Sequence, residues 1–382
     1  MADQNIVVVP DSNNLFDFVA KKGHGIKGLV DSGIAKVPEL YIQPPQERVF
    51  DHHQEVKYLS VSNNSSISSL LSPIDLSKLD GPEHEKVVDD IVRAAKTTGF
   101  FQVINHGVDL ESLESIKDAA HRFFSQPTDS KTVYLKGASI SPYVRYTTSF
   151  APEKEKKLEW RDHISMIYTN DNDAEKHWPS VCKKEVLDYM KSTYKTARRL
   201  FEILIENLGV EPEESMLESL AGFKVVNMNF YPACPSPELT IGAGRHSDMS
   251  TLTVLLQDDN GGLFVKIEED VGAGKQEEWI EIPPISGALV INVGDALQII
   301  SNDKYKSSEH KVRTTSKRSR VSIPLFVAPK PTEKIGPLPQ LVARDGGALY
   351  REVVYQDYRM NFFGLAHDGK KALDFAKINY PN

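Results

Sequence analysis

The sequence predicts an α+β protein, with a jelly-roll β core, flanking helices and a mainly helical N-terminal part. Three observations point there. From Phe223 onward, short β-rich runs recur between turn residues: VVNMNFY, STLTVLLQ, GLFVKI, EWIEIP, GALVINVG, LQIIS, KVRTT and RVSIPLFV, broken at Gly261-Gly262, Gly287, Gly294 and Asn302-Asp303. Upstream, apolar residues repeat at helical spacing instead. The 382 residues, 40% hydrophobic and 26% charged, have ordinary globular composition and can bury a sizeable core.

Taken in order, residues 14–36 carry helical spacing interrupted by Gly23, Gly25 and Gly28, which predicts two short helical pieces. Pro38, Pro44 and Pro45 favour an extended crossing segment, and the Ser/Asn-rich stretch Ser60–Ser72 reads as an exposed loop. Ile74 and Leu76 suit a short strand. A helix over about 83–98 has Val87, Val88, Ile91, Val92 and Ala95 on one stripe, and GFFQVINHG follows as a strand ending in a turn. Amphipathic helices are expected at about 109–125 and 184–208, and the last forty residues look helical again. The expected divisions are 1–71 (helical or extended segment and loop), 72–215 (mixed α/β), 216–335 (jelly-roll core) and 336–382 (helical).

A net charge of -8 argues against a general nucleic-acid binder, which needs a basic face to displace counterions from phosphates. Two distant cysteines, Cys182 and Cys234, exclude a disulfide scaffold and a CxxC metal site. The first residues lack a basic, then apolar, secretory pattern, and no apolar run reaches membrane-spanning length. The expectation is a cytoplasmic monomer acting on a small molecule, with no membrane or nucleic-acid partner.

Three features in the β region carry chemistry. In His246-Ser247-Asp248, an extended backbone places imidazole and carboxylate on one side. His310 lies in another β-rich segment, SSEHKVRTT. Two imidazoles and one carboxylate make a facial triad that leaves three open positions on Fe(II). In Arg320-Val321-Ser322 a guanidinium and a hydroxyl share a face, a pairing suited to a carboxylate. Each alone is commonly a solvated surface group; their joint order inside a strand-rich region is hard to produce by accident.

These residues resemble the signature of the plant 2-oxoglutarate/Fe(II)-dependent dioxygenases, whose double-stranded β-helix carries HxD…H and RxS. VNMNFYPACP resembles that family's N-x-Y-P-P-C-P segment, with Ala233 in place of a proline. GFFQVINHG and SPIDLSKL resemble its N-terminal domain, so the likeness spans roughly residues 14–375. The resemblance implies that His246, Asp248 and His310 hold Fe(II). It also implies that Arg320 and Ser322, with Tyr231 and Asn229, bind 2-oxoglutarate, and that O2 is the oxidant, with ascorbate as a further reductant.

GIKGLVDSGI, VRYTTSFAPEKEKKLEWRDHISMIYTND and FFGLAHDGKKALDFA are similar to the ortho-hydroxylases of hydroxycinnamoyl-CoA thioesters, which act on feruloyl-CoA or 4-coumaroyl-CoA and lead to scopoletin or umbelliferone. Such a CoA thioester implies a basic patch near the pocket mouth, with Lys136, Arg145, Lys304, Lys306, Lys311 and Arg313 as candidates. Phe326, on the face shared by residues 320, 322 and 324, is a candidate wall for an aromatic substrate, and Tyr146, Phe150 and Phe362 are others. Three alternatives stay open: a hydroxylase of the coumarin itself, as in scopoletin 8-hydroxylation; an oxidase that needs ascorbate in place of 2-oxoglutarate; and a jelly-roll binding protein without catalysis.

Overall fold

The computed structural model describes residues 14–48, 72–270, 275–365 and 369–378, so the loop expected at Ser60–Ser72 falls, but for Ser72, outside the described residues. The β-rich half forms two facing sheets. In spatial order the larger contains β1 (Ile74–Asp75), β2 (Phe100–Ile104), β10 (Leu289–Val293), β7 (Leu252–Gln257), β12 (Arg320–Ala328), β5 (Phe223–Tyr231), β4 (Asp162–Tyr168) and β3 (Val144–Thr148). The smaller contains β6 (Ala243–His246), β11 (His310–Val312), β8 (Leu263–Asp270) and β9 (Lys275–Ile282). β13 (Lys334–Ile335) pairs with β14 (Val353–Val354) alone. Neighbours far apart in sequence, β7–β12–β5 and β6–β11–β8, give the interleaved order of a jelly roll.

Alternation along each strand divides the large sheet into two faces. On β12, Val321, Ile323, Leu325 and Val327 join the main core, packed under the helices Leu110–Phe124 and Lys183–Glu206. Tyr189 of the second helix donates its hydroxyl to the Ile323 carbonyl at 2.8 Å. Arg320, Ser322 and Phe326 have the opposite orientation, toward the small sheet. A smaller apolar cluster lies there, including Phe100, Tyr231, Val265, Ile282, Val290 and Val312.

The three expected longer helices are His84–Thr97, Leu110–Phe124 and Lys183–Glu206. The two pieces expected in 14–36 are a π-helical turn, Asp17–Lys21, and the helix Gly25–Asp31. The C-terminal helical expectation corresponds to Pro339–Asp345 and Tyr355–Gly364. One expected strand is a helix: LQIIS belongs to Asp295–Ile300, every residue of which is buried. An apolar run buried on all sides shows no periodicity, so period alone does not separate strand from helix. β3 and β4 were not assigned from sequence, and they extend the large sheet beyond β5.

β4 also fixes the N-terminal segment. The Asp162 carboxylate is fully buried and accepts from the N–H groups of Ile26 at 2.8 Å and Lys27 at 2.9 Å, the open first turn of Gly25–Asp31. Gly25 has φ +69°, and a Cβ there would meet that carboxylate at 2.5 Å, so glycine is required. Asp162→Ala leaves a buried donor and a part-buried donor unpaired and is expected to lower stability by about 2–4 kcal/mol, read as a drop in urea midpoint at constant m-value. A loss under ~0.5 kcal/mol would show that water replaces the carboxylate there.

Candidate active site

His246 ends β6 directly opposite His310 on β11. Asp248 lies past the strand end, in irregular backbone, and returns its carboxylate to the same space. Its Oδ1 is 3.9 Å from His246 Nε2 and 3.8 Å from His310 Nε2, and the three potential ligand atoms lie within 4.8 Å of one another. Each ring is held from behind: Nδ1 of His246 is 2.7 Å from the Gly244 carbonyl, and that of His310 is 3.4 Å from the Ser308 carbonyl. A carbonyl only accepts, so Nδ1 carries the proton and the Nε2 lone pair is directed into the site. The Asp248 Oδ2 accepts from Thr253 Oγ1 at 2.6 Å on β7 and from Asn292 Nδ2 on β10, which turns Oδ1 toward the imidazoles. Two neutral imidazoles and one carboxylate on one side suit a ferrous ion with open positions.

Arg320 is 1% exposed. Its Nε donates to the Gly261 carbonyl at 2.6 Å and its Nη2 to Gln257 Oε1 at 3.2 Å, while Nη1 and Gln257 Nε2 are buried with no hydrogen-bond partner. Among the described residues no carboxylate lies within ion-pair distance of this guanidinium. A buried, permanently charged group with a spare donor fits the far carboxylate of a diacid. The Tyr231 ring packs against it, 5.1 Å from centroid to guanidinium carbon. Gly242 makes room for that ring, since a Cβ there would meet Tyr231 Cδ1 at 2.8 Å. Asn229 Nδ2 donates to Ser322 Oγ at 3.3 Å.

A buried ion pair connects the two ends. Glu159 Oε1 accepts from the N–H of Gly244, the residue whose carbonyl holds His246, at 2.7 Å, while Oε2 accepts from Arg161 at 2.6 Å. Arg161 in turn donates to Asn229 Oδ1 at 3.4 Å. Burial works against the Arg161 charge, but the adjacent Glu159, with Tyr231 and Glu155, holds its pKa above the ordinary value. The sequence reading did not find Thr253, Asn292, Glu159 or Arg161. For Thr253 and Asn292 the available signal was polar residues at inward positions of otherwise apolar strands, Asn292 in LVINV above all, whereas Glu159 and Arg161 precede β4 in irregular backbone.

The expected aromatic wall is only partly assembled. Phe326 is half-buried on the site face of β12, paired with Thr253 and Val225. Phe150 and Phe362 are half-buried with ring centroids 6.2 Å apart. Tyr146 is a correction: alternation on β3 turns its ring to the helix side, into the core beside Phe123 (6.1 Å) and Phe124 (6.5 Å). The expected basic patch is also corrected. Lys304 pairs with Asp345, Lys306 with Asp303 and Arg313 with Glu281. Lys311, one residue from His310 on β11, faces away from the site, with its ammonium 4.3 Å from the Trp279 ring centroid, and burial draws it down to about 8. Lys136 is 4.0 Å from Glu153. Arg145 alone of the six has neither an ion-pair nor an aromatic partner among the described residues.

Residues 222–329 match the 2OG-Fe(II) oxygenase superfamily, and residues 71–186 match the non-haem dioxygenase in morphine synthesis N-terminal domain. Scopoletin 8-hydroxylase of Arabidopsis thaliana is 52% identical over 367 residues, covering 96% of this chain and 98% of that protein. Feruloyl CoA ortho-hydroxylase F6H1-2 of Ipomoea batatas is 46% identical over 369 residues, covering 96% and 98%. Among solved structures, JOX2 in complex with 2OG, Fe and JA superposes with a TM-score of 0.77 at 29% identity, covering 93% of this chain and 97% of that one. No helix among the described residues is long and apolar enough to cross a membrane. With near-full-length relatives and a triad that fits iron, the chain belongs to the 2OG-Fe(II) oxygenase superfamily, as a dioxygenase that uses Fe(II), 2-oxoglutarate and O2.

Proposed function

We propose that the chain hydroxylates the aromatic ring of a phenolic substrate of coumarin biosynthesis, with His246, Asp248 and His310 holding Fe(II) and Arg320, Ser322, Tyr231 and Asn229 receiving 2-oxoglutarate. The observation that carries this assignment is a buried guanidinium with an unused donor on the large sheet, turned toward the sheet that carries the two histidines of a His/Asp/His cluster. Bound Fe(II) and 2-oxoglutarate supply the activation of O2. The chain's own residues position and exclude water. Arg161 engages the Asn229 oxygen, so the Asn229 NH2 faces Ser322 Oγ and leaves the Ser322 hydroxyl proton available to a carboxylate. The expected catalytic core, 216–335, contains every proposed ligand, and Glu159 and Arg161 support it from outside.

Two substrate readings share this site. Scopoletin 8-hydroxylase, at 52% identity, favours a coumarin, and feruloyl CoA ortho-hydroxylases at 45–46% favour a hydroxycinnamoyl-CoA thioester. The pairing of the six candidate cations leans toward the coumarin. A CoA tail needs several free cations, and of the six candidates only Arg145 lacks an acidic or aromatic partner. The coumarin is therefore the better-supported reading. Parallel incubations with scopoletin, feruloyl-CoA and 4-coumaroyl-CoA, read by mass spectrometry for gain of one oxygen, test it; product from the thioesters alone would reverse the order.

His246→Ala and His310→Ala are expected to abolish both turnover and ferrous binding. Arg320→Ala should raise the 2-oxoglutarate requirement at least about 30-fold, equivalent to ~2 kcal/mol, and a twofold change would remove Arg320 from the assignment. Asn292→Ala frees one side of the Asp248 carboxylate and should weaken Fe(II) binding by roughly 10- to 100-fold in anaerobic titration, with the fold intact by circular dichroism.

A further inference from the structure

Two arginines outside the iron and 2-oxoglutarate assignments, Arg145 exposed and Arg359 half-buried, flank the β5–β4–β3 part of the large sheet. Arg145 is on β3, the last strand of the large sheet. Its neighbour Tyr146 enters the helix-side core, so Arg145 has the site-facing orientation, in register with Ser165 on β4 and, through it, Asn227 on β5. Arg359 is on the helix Tyr355–Gly364, its guanidinium 5.0 Å from the centroid of Phe223, the first residue of β5. Two positions further along β5, Val225 pairs with Phe326. On the inner face Val225, Asn227, Ser165, Ile167 and Phe326 are all half-buried.

Neither arginine has a carboxylate partner among the described residues. The hydrogen bond found for Arg359 goes to Gln356 Oε1 at 3.0 Å, and its Nε is buried without a partner. Burial, and beyond an opposing contribution from Tyr355 the nearby Arg145 charge, lower the Arg359 pKa, so the two cations feel each other. Both remain charged, because a guanidinium does not give up its proton in proteins. A like-charge pair beside an apolar wall is relieved by an anion between them, through charge-assisted hydrogen bonds. The wall is present: the Phe150 ring stacks on Phe363 at 5.6 Å and meets Phe362 at 6.2 Å. The Asn227 amide oxygen is also buried and unpaired.

We propose that Arg145 and Arg359 form an oxyanion subsite of the substrate pocket, which grips an ionised oxygen group of the aromatic substrate while the phenylalanines cover its ring. The inference rests on the aromatic-hydroxylase reading and sharpens it. A 7-hydroxycoumarin meets the requirement, since its hydroxyl is conjugated through the ring to the lactone carbonyl and ionises readily; a phosphate of a CoA thioester offers the same oxyanion chemistry. In either case the subsite selects against neutral ethers of equal shape.

The test is equilibrium binding to the anaerobic Fe(II)·2-oxoglutarate protein, using scopoletin, its 7-O-methyl ether and feruloyl-CoA as probes. Arg145→Gln and Arg359→Gln should each raise the scopoletin Kd roughly tenfold or more, as for loss of a charge-assisted hydrogen bond, and leave the methyl ether within twofold. Arg359→Lys, which keeps the charge, should recover part of the loss. Weakening confined to feruloyl-CoA assigns the same subsite to phosphate. The subsite is refuted if both glutamine variants bind both ionisable probes as wild type does, or lose the methyl ether equally. Arginine-dependent binding without product would retain the subsite and remove the hydroxylase reading; product formation unaffected by either variant would do the reverse. Binding of no probe by the wild type would remove both.

Discussion

A carboxylate enclosed between two β-sheets is stable only if its oxygens are satisfied, and the organisation of this site follows from how Asp248 meets that demand. Thr253 and Asn292, from adjacent strands, hold one oxygen, and the other turns toward two imidazoles whose far nitrogens are bonded to backbone carbonyls. The orientation of each group is thereby set before any ion arrives, which limits the reorganisation that binding requires. Ligand identity is local to three residues, whereas ligand direction belongs to the sheet that surrounds them.

The sheet provides that direction through simple alternation. Each central strand of the large sheet gives one face to the helices and the other to the enclosed space. A largely apolar helix-side face therefore coexists with an inner face that accommodates Arg320, Ser322, Asn229, Gln257, Asn292 and Thr253. The polar groups are affordable because they bond one another across neighbouring strands in register. The Glu159–Arg161 pair extends this across the site, from the backbone behind His246 to the amide beside Ser322. The metal end and the diacid end are thus mechanically one unit.

The arginines show how burial and pairing separate roles that sequence treats alike. Arg161 is neutralised by Glu159 and acts as structure. Arg320 is buried more deeply and, with a spare donor, has no carboxylate partner among the described residues, the arrangement of a group whose partner is a ligand. Arg313 is tied to Glu281 near the surface. Counting cations along the chain suggested a patch for phosphates; following each to its partner disperses most of that patch.

The sequence by itself determined the fold class, the long helices, most strands of the jelly roll and the triad, because each leaves a short-range trace: helical or alternating period, turn residues, and chemically distinctive side chains two residues apart. It did not determine β3 and β4, whose membership in the sheet depends on pairing with β5, or the helix at LQIIS, whose all-round burial erases its period. Tyr146 could be expected in the pocket until the register of β3 turned it to the core. Thr253, Asn292, Glu159 and Arg161 became functional only when strands distant in sequence placed them against Asp248, Gly244 and Asn229. Such contacts are set by long-range register, which no local pattern encodes, and so only the tertiary structure decided them.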